Sequence, residues 1–205
     1  MPANKTYVLG LTGGIGCGKS EAAEYLESLG AKHIDADAIS RAATDMGGCA
    51  LPKIRELFGD GVFGENGMLN RRRMGNIIFN DPAAKRALEN IIHPLVQKTI
   101  MDEIDAASAE GIPVTVLNVP LLFESGMDVL CDETWVMSAD EDVQVQRICA
   151  RDGLSEEQAR ARIHSQMTQK ERNDRATKVI STERPVEKTR AELQNMYYRL
   201  LERIG

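Results

Sequence analysis

The sequence predicts an α/β fold in which helices cover a parallel β-sheet. Residues 6–12, TYVLGLT, form an apolar run that ends in glycines, which is typical of a buried strand. A helical pattern follows from Lys19 to Leu29, with apolar residues on one face and Gly30 as its stop. A short segment at residues 31–34 comes next, and this strand–helix–strand order favours a parallel sheet.

The rest of the chain alternates between predicted helices and further strands. Strands are predicted at residues 113–119 and 134–138, with a candidate last strand at 177–181. Helices are predicted at residues 51–58, 70–79, from 81 onward with a bend near His93-Pro94, 139–167 and 186–204. A length of 205 residues suits one domain. We therefore expect a single domain over residues 1–205, with helical insertions at about 60–105 and 140–175.

Composition and charge narrow the class of protein. Apolar residues make up 42% of the chain and charged residues 27%, which indicates a globular protein rather than a disordered one. The net charge of −6 argues against general affinity for nucleic acid or anionic membranes, so an anionic ligand must meet a local positive site. The N-terminal stretch lacks the pattern of a signal peptide, and no apolar run is long enough to span a membrane. We expect a cytoplasmic monomer or weak homo-oligomer.

The cysteines indicate a reducing compartment. They are Cys17, Cys49, Cys131 and Cys149. They lie far apart, with no C-x-x-C pair and no histidine at zinc-ligand spacing, so they are expected to be free thiols rather than disulfides or zinc ligands.

The strongest chemical signal is the octapeptide GGIGCGKS, which fits the pattern G-x-x-x-x-G-K-[ST]. Its residues are Gly13, Gly14, Ile15, Gly16, Cys17, Gly18, Lys19 and Ser20. In such a P-loop, backbone N–H groups and the following helix N-terminus bind phosphate oxygens. Lys19 is expected to reach the β- and γ-phosphates, and the Ser20 hydroxyl to bind Mg²⁺. A plain glycine turn is the alternative, but the position between a strand and a helix favours ATP binding and phosphoryl transfer.

Cys17 occupies a P-loop position at the start of a helix. The positive end of a helix favours the thiolate form of a nearby cysteine, so we expect this thiol to be reactive toward alkylating reagents.

Two carboxylates, Asp35 and Asp37, follow the second predicted strand. Ligands of open parallel sheets bind beyond the carboxyl ends of the strands. Either aspartate is therefore a candidate base for an attacking hydroxyl or a candidate water-mediated Mg²⁺ ligand. The alternative is that one of them only caps the next helix.

Arginines are concentrated in the predicted helical region after residue 139. Arg147 and Arg151 are four residues apart and share a helix face, and Arg162, Arg172 and Arg175 follow. Guanidinium groups from a closing lid commonly stabilise the charge of a triphosphate during transfer. The alternative for each arginine is a solvated helix face.

Missing motifs exclude several P-loop and kinase classes. The strand at 113–119 carries Asn118 where a Walker B aspartate would stand, which disfavours motor and transporter ATPases. The chain has no N-K-x-D motif for guanine and no H-R-D or D-F-G set of a protein kinase.

Several motifs in order resemble the dephospho-coenzyme A kinase family over nearly the whole chain. They are GLTGGIGCGKS at 10–20, IDADAISR at 34–41, FG at 58–59, NR at 70–71, HPLV at 93–96, VPLLFE at 119–124, RICAR at 147–151 and RIHSQM at 162–167. The resemblance implies a three-layer α/β/α P-loop NTPase fold with a parallel five-stranded sheet. The insertion at 60–105 would bind coenzyme A, and residues 140–175 would form a mobile lid.

The resemblance also implies an activity and a set of site residues. ATP would donate its γ-phosphoryl group to dephospho-coenzyme A with Mg²⁺ present. Gly13 to Ser20 would hold ATP, Asp37 would be the general base with Asp35 close by, and Arg147 and Arg151 would be lid arginines. The residues lining the acceptor site would be Arg41, His93, Pro120, Leu121 and Glu124.

The sequence departs from the family pattern at three places. Glu21 replaces the usual threonine beside the nucleotide, Asn70 stands where aspartate is common, and VISTER at 179–184 replaces a segment ending in D-N-x-G on the adenine side. Two other functions stay open. One is a small P-loop kinase for a nucleoside or nucleotide. The other is a regulatory nucleotide-binding module with impaired chemistry, which only the 179–184 segment supports.

Overall fold

The computed structural model describes residues 5–205, and its centre is a parallel β-sheet of five strands in the order β2-β3-β1-β4-β5. The strands are β1 (Tyr7–Gly13), β2 (Lys32–Asp35), β3 (Val114–Asn118), β4 (Glu133–Ser138) and β5 (Lys178–Ser181). The predicted α/β class and the five-stranded parallel sheet are confirmed. Residues 1–4, where the stretch judged not to be a signal peptide begins, lie outside the described residues.

The helices follow the predicted order with two differences, a break near residue 153 and a short helix at residues 169–175 that was not predicted. They are α1 (Lys19–Ser28), α2 (Ala36–Thr44), α3 (Leu51–Phe58), α4 (Arg71–Asn80), α5 (Pro82–Ala109), α6 (Glu141–Asp152), α7 (Glu156–His164), α8 (Gln169–Arg175) and α9 (Val186–Ile204). The prediction of continuous helix over 139–167 is wrong. Gly153 adopts a φ of 68° and ends α6, and a capping box of Ser155 and Gln158 starts α7.

Helix starts in the middle of the chain carry the predicted caps. The Asn70 side chain accepts a hydrogen bond from the backbone N–H of Arg73. The Asp81 carboxylate accepts from the N–H groups of Ala83 and Ala84 at the start of α5. These caps satisfy N–H groups that the helix itself leaves without partners. No helix in residues 5–205 is long and apolar enough to cross a membrane.

The chain divides into two compact units. The first contains the described residues up to Asp35 together with Ile104–Gly205, and it holds the whole sheet. Its central strands β1, β3 and β4 are buried, as expected for a parallel sheet covered by helices, and α1 and α9 contribute to the same core. The second unit, Ala36–Glu103, has a core of its own. The buried residues of that core are Ala43, Ala50, Ile54, Val62, Phe63, Met74 and Leu88.

A buried carboxylate on β4 links the sheet to the last helix. Glu133 is only 5% exposed and accepts hydrogen bonds from the indole of Trp135 at 2.8 Å, from the Tyr7 hydroxyl at 3.2 Å and from Arg203 on α9. Burial by itself raises the pKa of Glu133, but the hydrogen bonds from Arg203 and Trp135 outweigh it. The net result is a pKa below its usual range.

Glu133 should therefore stabilise the fold in a pH-dependent manner. Because its folded pKa is below the unfolded value of about 4.3, the stabilisation is complete above that pH and is lost as the pH falls through the folded pKa. Glu133→Gln should lower the free energy of urea unfolding by about 1–3 kcal/mol at pH 7, with a smaller difference near pH 3. Glu157→Gln, an exposed change on α7, is the control. A loss that is equal at both pH values would contradict this role.

Candidate active site

The predicted chemistry gathers where the parallel strands end. The register pairs Asp35 at the end of β2 with Asn118 at the end of β3, and Asn118 with Leu11 of β1. The segment from Gly13 to Ser20 leaves β1 at the same edge of the sheet. This is the edge at which α/β proteins bind their ligands.

The P-loop forms a tight arch between β1 and α1. Gly16 and Gly18 have φ values of 82° and 75°, in the left-handed region that glycine adopts without strain. The N–H of Cys17 donates to the carbonyl of Gly14 at 3.1 Å across the arch. Gly18 precedes α1 and has no side chain to cap it, so the first N–H groups of that helix are positioned to bind an anion.

Lys19 is held by Asn118, the residue that stands where a Walker B aspartate would be. The Lys19 ammonium donates a hydrogen bond to the side-chain oxygen of Asn118, and the Asn118 amide nitrogen lies 3.1 Å from Nε2 of His33. An amide orients the ammonium without neutralising it, whereas a carboxylate would compete with phosphate for the same charge. The signal that could have revealed this role is the position of Asn118 at the end of the strand beside β1.

Arg147 binds the backbone of the P-loop. Its guanidinium donates to the Gly16 carbonyl at 3.1 Å, to the Thr182 hydroxyl at 2.9 Å and to the Thr182 carbonyl at 2.6 Å. Thr182 belongs to the 179–184 segment that departs from the family pattern. Arg151 instead pairs with Asp152 at 2.7 Å, and its side chain is 61% exposed. This is the arrangement expected of an arginine on a solvated helix face.

Glu21 also points toward the last helix. Its carboxylate lies 3.0 Å from the guanidinium of Arg190 on α9, and both side chains are about half exposed. Exposed ion pairs of this kind contribute little to stability.

The segment after β3 lies beside the P-loop strand. The Thr12 hydroxyl donates to the Pro120 carbonyl at 3.0 Å, and the Leu121 side chain is 45% exposed. The Glu124 carboxylate accepts from the Met167 N–H at 3.2 Å and borders an open pocket. Its other lining residues are Met167, Glu171, Asp174 and Arg175.

Three predicted site residues, Asp37, Arg41 and His93, belong to the second compact unit. Asp37 and Arg41 lie on α2, with Asp37 exposed in its first turn, and His93 is exposed on α5. Because α2 begins at Ala36, Asp35 precedes the helix and Asp37 lies inside it. Asp35 therefore occupies the position immediately before the helix, and Asp37 lies in its first turn.

The expectation of a reactive Cys17 is wrong. The arch of the P-loop turns this side chain into the core, where it is 0% exposed and where Sγ lies 3.7 Å from the Gln169 side-chain oxygen. Burial raises the pKa of the Cys17 thiol, which opposes the helix-terminus effect, although Arg172 and Arg147 act in the lowering direction.

Alkylation should accordingly spare Cys17. Treatment of the native protein with iodoacetamide at pH 7.5 should modify the exposed Cys49 first and leave Cys17 unmodified until the protein is unfolded. Burial also raises the pKa of Cys131 to about 12, so that thiol should react slowly as well. Peptide mass spectrometry over time, with Cys49→Ser as the control, measures the order. Labelling of Cys17 as fast as that of Cys49 would contradict this burial.

At this edge of the sheet the protein supplies only part of the coordination shell of a magnesium ion, so a bound ligand would have to supply further oxygen atoms. No group of three His, Cys, Asp or Glu side chains within the described part of the chain is arranged to hold a metal ion. Ser20 is exposed at the start of α1 and supplies one hydroxyl oxygen. Mg²⁺ typically takes a few protein oxygens and completes its shell with phosphate and water, which suits this donor set.

Comparison with known proteins identifies the family. A family model described as dephospho-CoA kinase matches residues 7–187. The chain belongs to the dephospho-CoA kinase family. The expectation that it is a kinase-type enzyme of a P-loop family is thereby confirmed.

Individual relatives and solved structures match over most of the chain. The dephospho-CoA kinase of Symbiobacterium thermophilum is 42% identical over 187 residues, which cover 91% of this chain and 78% of the relative. The crystal structure of TT1252 from Thermus thermophilus superposes with a TM-score of 0.82 at 32% identity, covering 98% of this chain and all of that one. The dephospho-CoA kinase from Campylobacter jejuni gives a TM-score of 0.71 at 30% identity, with coverage of 94% and 96%.

Proposed function

We propose that this chain transfers the γ-phosphoryl group of ATP to the 3′-hydroxyl of dephospho-coenzyme A, which yields ADP and coenzyme A. The observation that carries the proposal is the P-loop arch with Lys19 held by Asn118, in a chain of the dephospho-CoA kinase family. This arrangement presents an ammonium and a row of backbone N–H groups to a triphosphate.

On the nucleotide side, the residues from Gly13 to Ser20 bind the phosphates of ATP. Lys19 stabilises the charge on the transferring group, and the Ser20 hydroxyl would hold Mg²⁺ from the protein side. The Mg²⁺ ion, when bound, neutralises charge on the β- and γ-phosphates. Arg147 supports the same charge from its position on the Gly16 carbonyl, and Arg151, which pairs with Asp152 in this structure, would join it as part of a lid at 140–175. Glu21 borders the nucleotide at the start of α1.

On the acceptor side, Asp37 accepts the proton of the attacking hydroxyl, with Asp35 close by in sequence at the end of β2. Dephospho-coenzyme A is recognised by the helical region at about 60–105, most of which lies in the second compact unit. The residues proposed to line the acceptor site are Arg41, His93, Pro120, Leu121 and Glu124. We expect a single functional domain over 1–205 that works in the cytoplasm as a monomer or weak homo-oligomer and binds neither nucleic acid nor membrane.

The direct test is an assay of ADP release with ATP, Mg²⁺ and dephospho-coenzyme A, with coenzyme A identified by mass. Parallel reactions contain a nucleoside, a nucleoside monophosphate or no acceptor. Turnover that depends on dephospho-coenzyme A is the expected result. Faster turnover with a nucleoside or nucleotide would overturn the proposal in favour of another small P-loop kinase. ATP binding without transfer to any acceptor would favour the impaired nucleotide-binding module.

A further inference from the structure

A buried arginine behind the P-loop, Arg172, is incompletely hydrogen-bonded. Arg172 on α8 is only 1% exposed, and arginine stays protonated in proteins. Its Nη2 donates to the Met167 carbonyl at 3.0 Å and lies 3.6 Å from a Glu124 oxygen. Within residues 5–205, its Nε has no hydrogen-bond partner. A buried cation with incomplete pairing is costly, so its position calls for a reason other than stability.

The guanidinium of Arg172 packs directly against the first half of the P-loop. A Cβ placed on Gly14 would lie 3.3 Å from Arg172 Nη1 and 3.5 Å from the Gln169 side-chain oxygen. Gly14 thus leaves the space that lets α8 approach the loop. The alternative of a solvated helix face is wrong for Arg172, because its side chain is buried and lies against the P-loop backbone.

The turn between α7 and α8 connects this arginine to a P-loop amide. Met167 is held on both sides, because its N–H donates to Glu124 at 3.2 Å and its carbonyl accepts from Arg172. The preceding residue, Gln166, reaches the loop, and its side-chain oxygen accepts from the Ile15 N–H at 3.1 Å. The backbone of Ile15 is thereby fixed immediately before Gly16.

We propose that Arg172 is a positioning residue for phosphoryl transfer: with Glu124 it fixes Met167, and this places Gln166 on the Ile15 amide and holds the first half of the P-loop in shape. Arg172 acts through Gln166 and does not itself touch the substrate. Preorganised loops of this kind matter because small displacements of reacting groups cost large factors in rate. The inference rests on the proposed function only in its use of dephospho-coenzyme A as the acceptor in the rate assay.

A double-mutant cycle tests the coupling. Gln166→Met removes one hydrogen bond and should lower kcat by roughly 3- to 10-fold. Arg172→Met should lower kcat by no more than this, roughly 3- to 10-fold, with a smaller change in KM for ATP. If Arg172 acts through Gln166, the double variant should be no slower than Gln166→Met by more than about twofold. Arg199→Met is the control, since Arg199 is an exposed arginine on α9, outside the proposed lid at 140–175.

A second readout requires no turnover. Hydrogen exchange of the P-loop peptide in the ligand-free protein should be faster in Gln166→Met and in Arg172→Met than in the wild type or Arg199→Met. If Arg172→Met fails to fold, Arg172→Lys keeps the buried charge, and Gln166→Met, at a partly exposed turn, still decides the question.

Additive rate losses, unchanged P-loop exchange, or a kcat for Gln166→Met within about 1.5-fold of wild type would each overturn the inference. A wild-type protein that fails to phosphorylate dephospho-coenzyme A would overturn the proposed function instead, and the exchange measurement would still test the coupling.

Discussion

Replacing Lys19 with alanine should lower the turnover number for phosphoryl transfer by roughly 10²- to 10³-fold, the scale of losing one electrostatic stabiliser. The ammonium counters the charge of the γ-phosphoryl group during transfer, and Asn118 orients it without neutralising it. The fold should survive, because Lys19 is only half-buried and does not belong to the core cluster of the sheet unit.

Steady-state rates at saturating ATP and acceptor measure the effect, with thermal unfolding as the check on folding. Lys188→Ala is the control, because Lys188 is an exposed lysine on α9, outside the regions proposed for the acceptor and the lid. The control should keep wild-type turnover. A Lys19→Ala protein that turns over within a few-fold of wild type would exclude the phosphate role of this lysine.

Asp37→Asn should depress the turnover number by about 10²-fold or more, within the range of general-base effects. An amide of the same shape cannot accept the proton of the hydroxyl, while ATP binding, which we assign to the P-loop, should change little. Loss of a negative charge from the first turn of α2 should cost only about 0.3–1 kcal/mol of stability.

Asp35→Asn is the matched control for this substitution. Asp35 precedes α2 at the end of β2, and asparagine caps a helix nearly as well as aspartate. If Asp37 is the base, Asp35→Asn should retain far more activity than Asp37→Asn at equal ATP affinity. The reverse order of rates would assign the base to Asp35, and normal turnover in both variants would remove the carboxylates from the chemistry.

The fold could be predicted wherever a short sequence pattern determines the local structure. The apolar run before the P-loop and the glycines within it specify a strand, an arch and a helix by rules that act over a few residues. The caps at Asn70 and Asp81 are local in the same way. The break at Gly153 was missed because a glycine inside a helical pattern is compatible with either continuation or termination.

The contacts that support the site could not be predicted from local sequence patterns. Lys19 and Asn118 are 99 residues apart, and Ile15 and Gln166 are 151 apart. No spacing rule connects such pairs, because the sheet order and the packing of α8 bring them together. The prediction of a reactive Cys17 failed for a related reason, because the arch of the loop directs its side chain into the core.

The placement of aromatic residues gives the two compact units different optical signals. Trp135, the single tryptophan of the chain, is buried in β4, and the four tyrosines also lie outside Ala36–Glu103. Intrinsic fluorescence excited at the red edge of the absorption band therefore reports on the sheet unit alone, while far-ultraviolet circular dichroism records helices of both. Following one denaturation with both probes separates the two units without any label, and a nucleotide that stabilises the P-loop should shift the fluorescence transition directly.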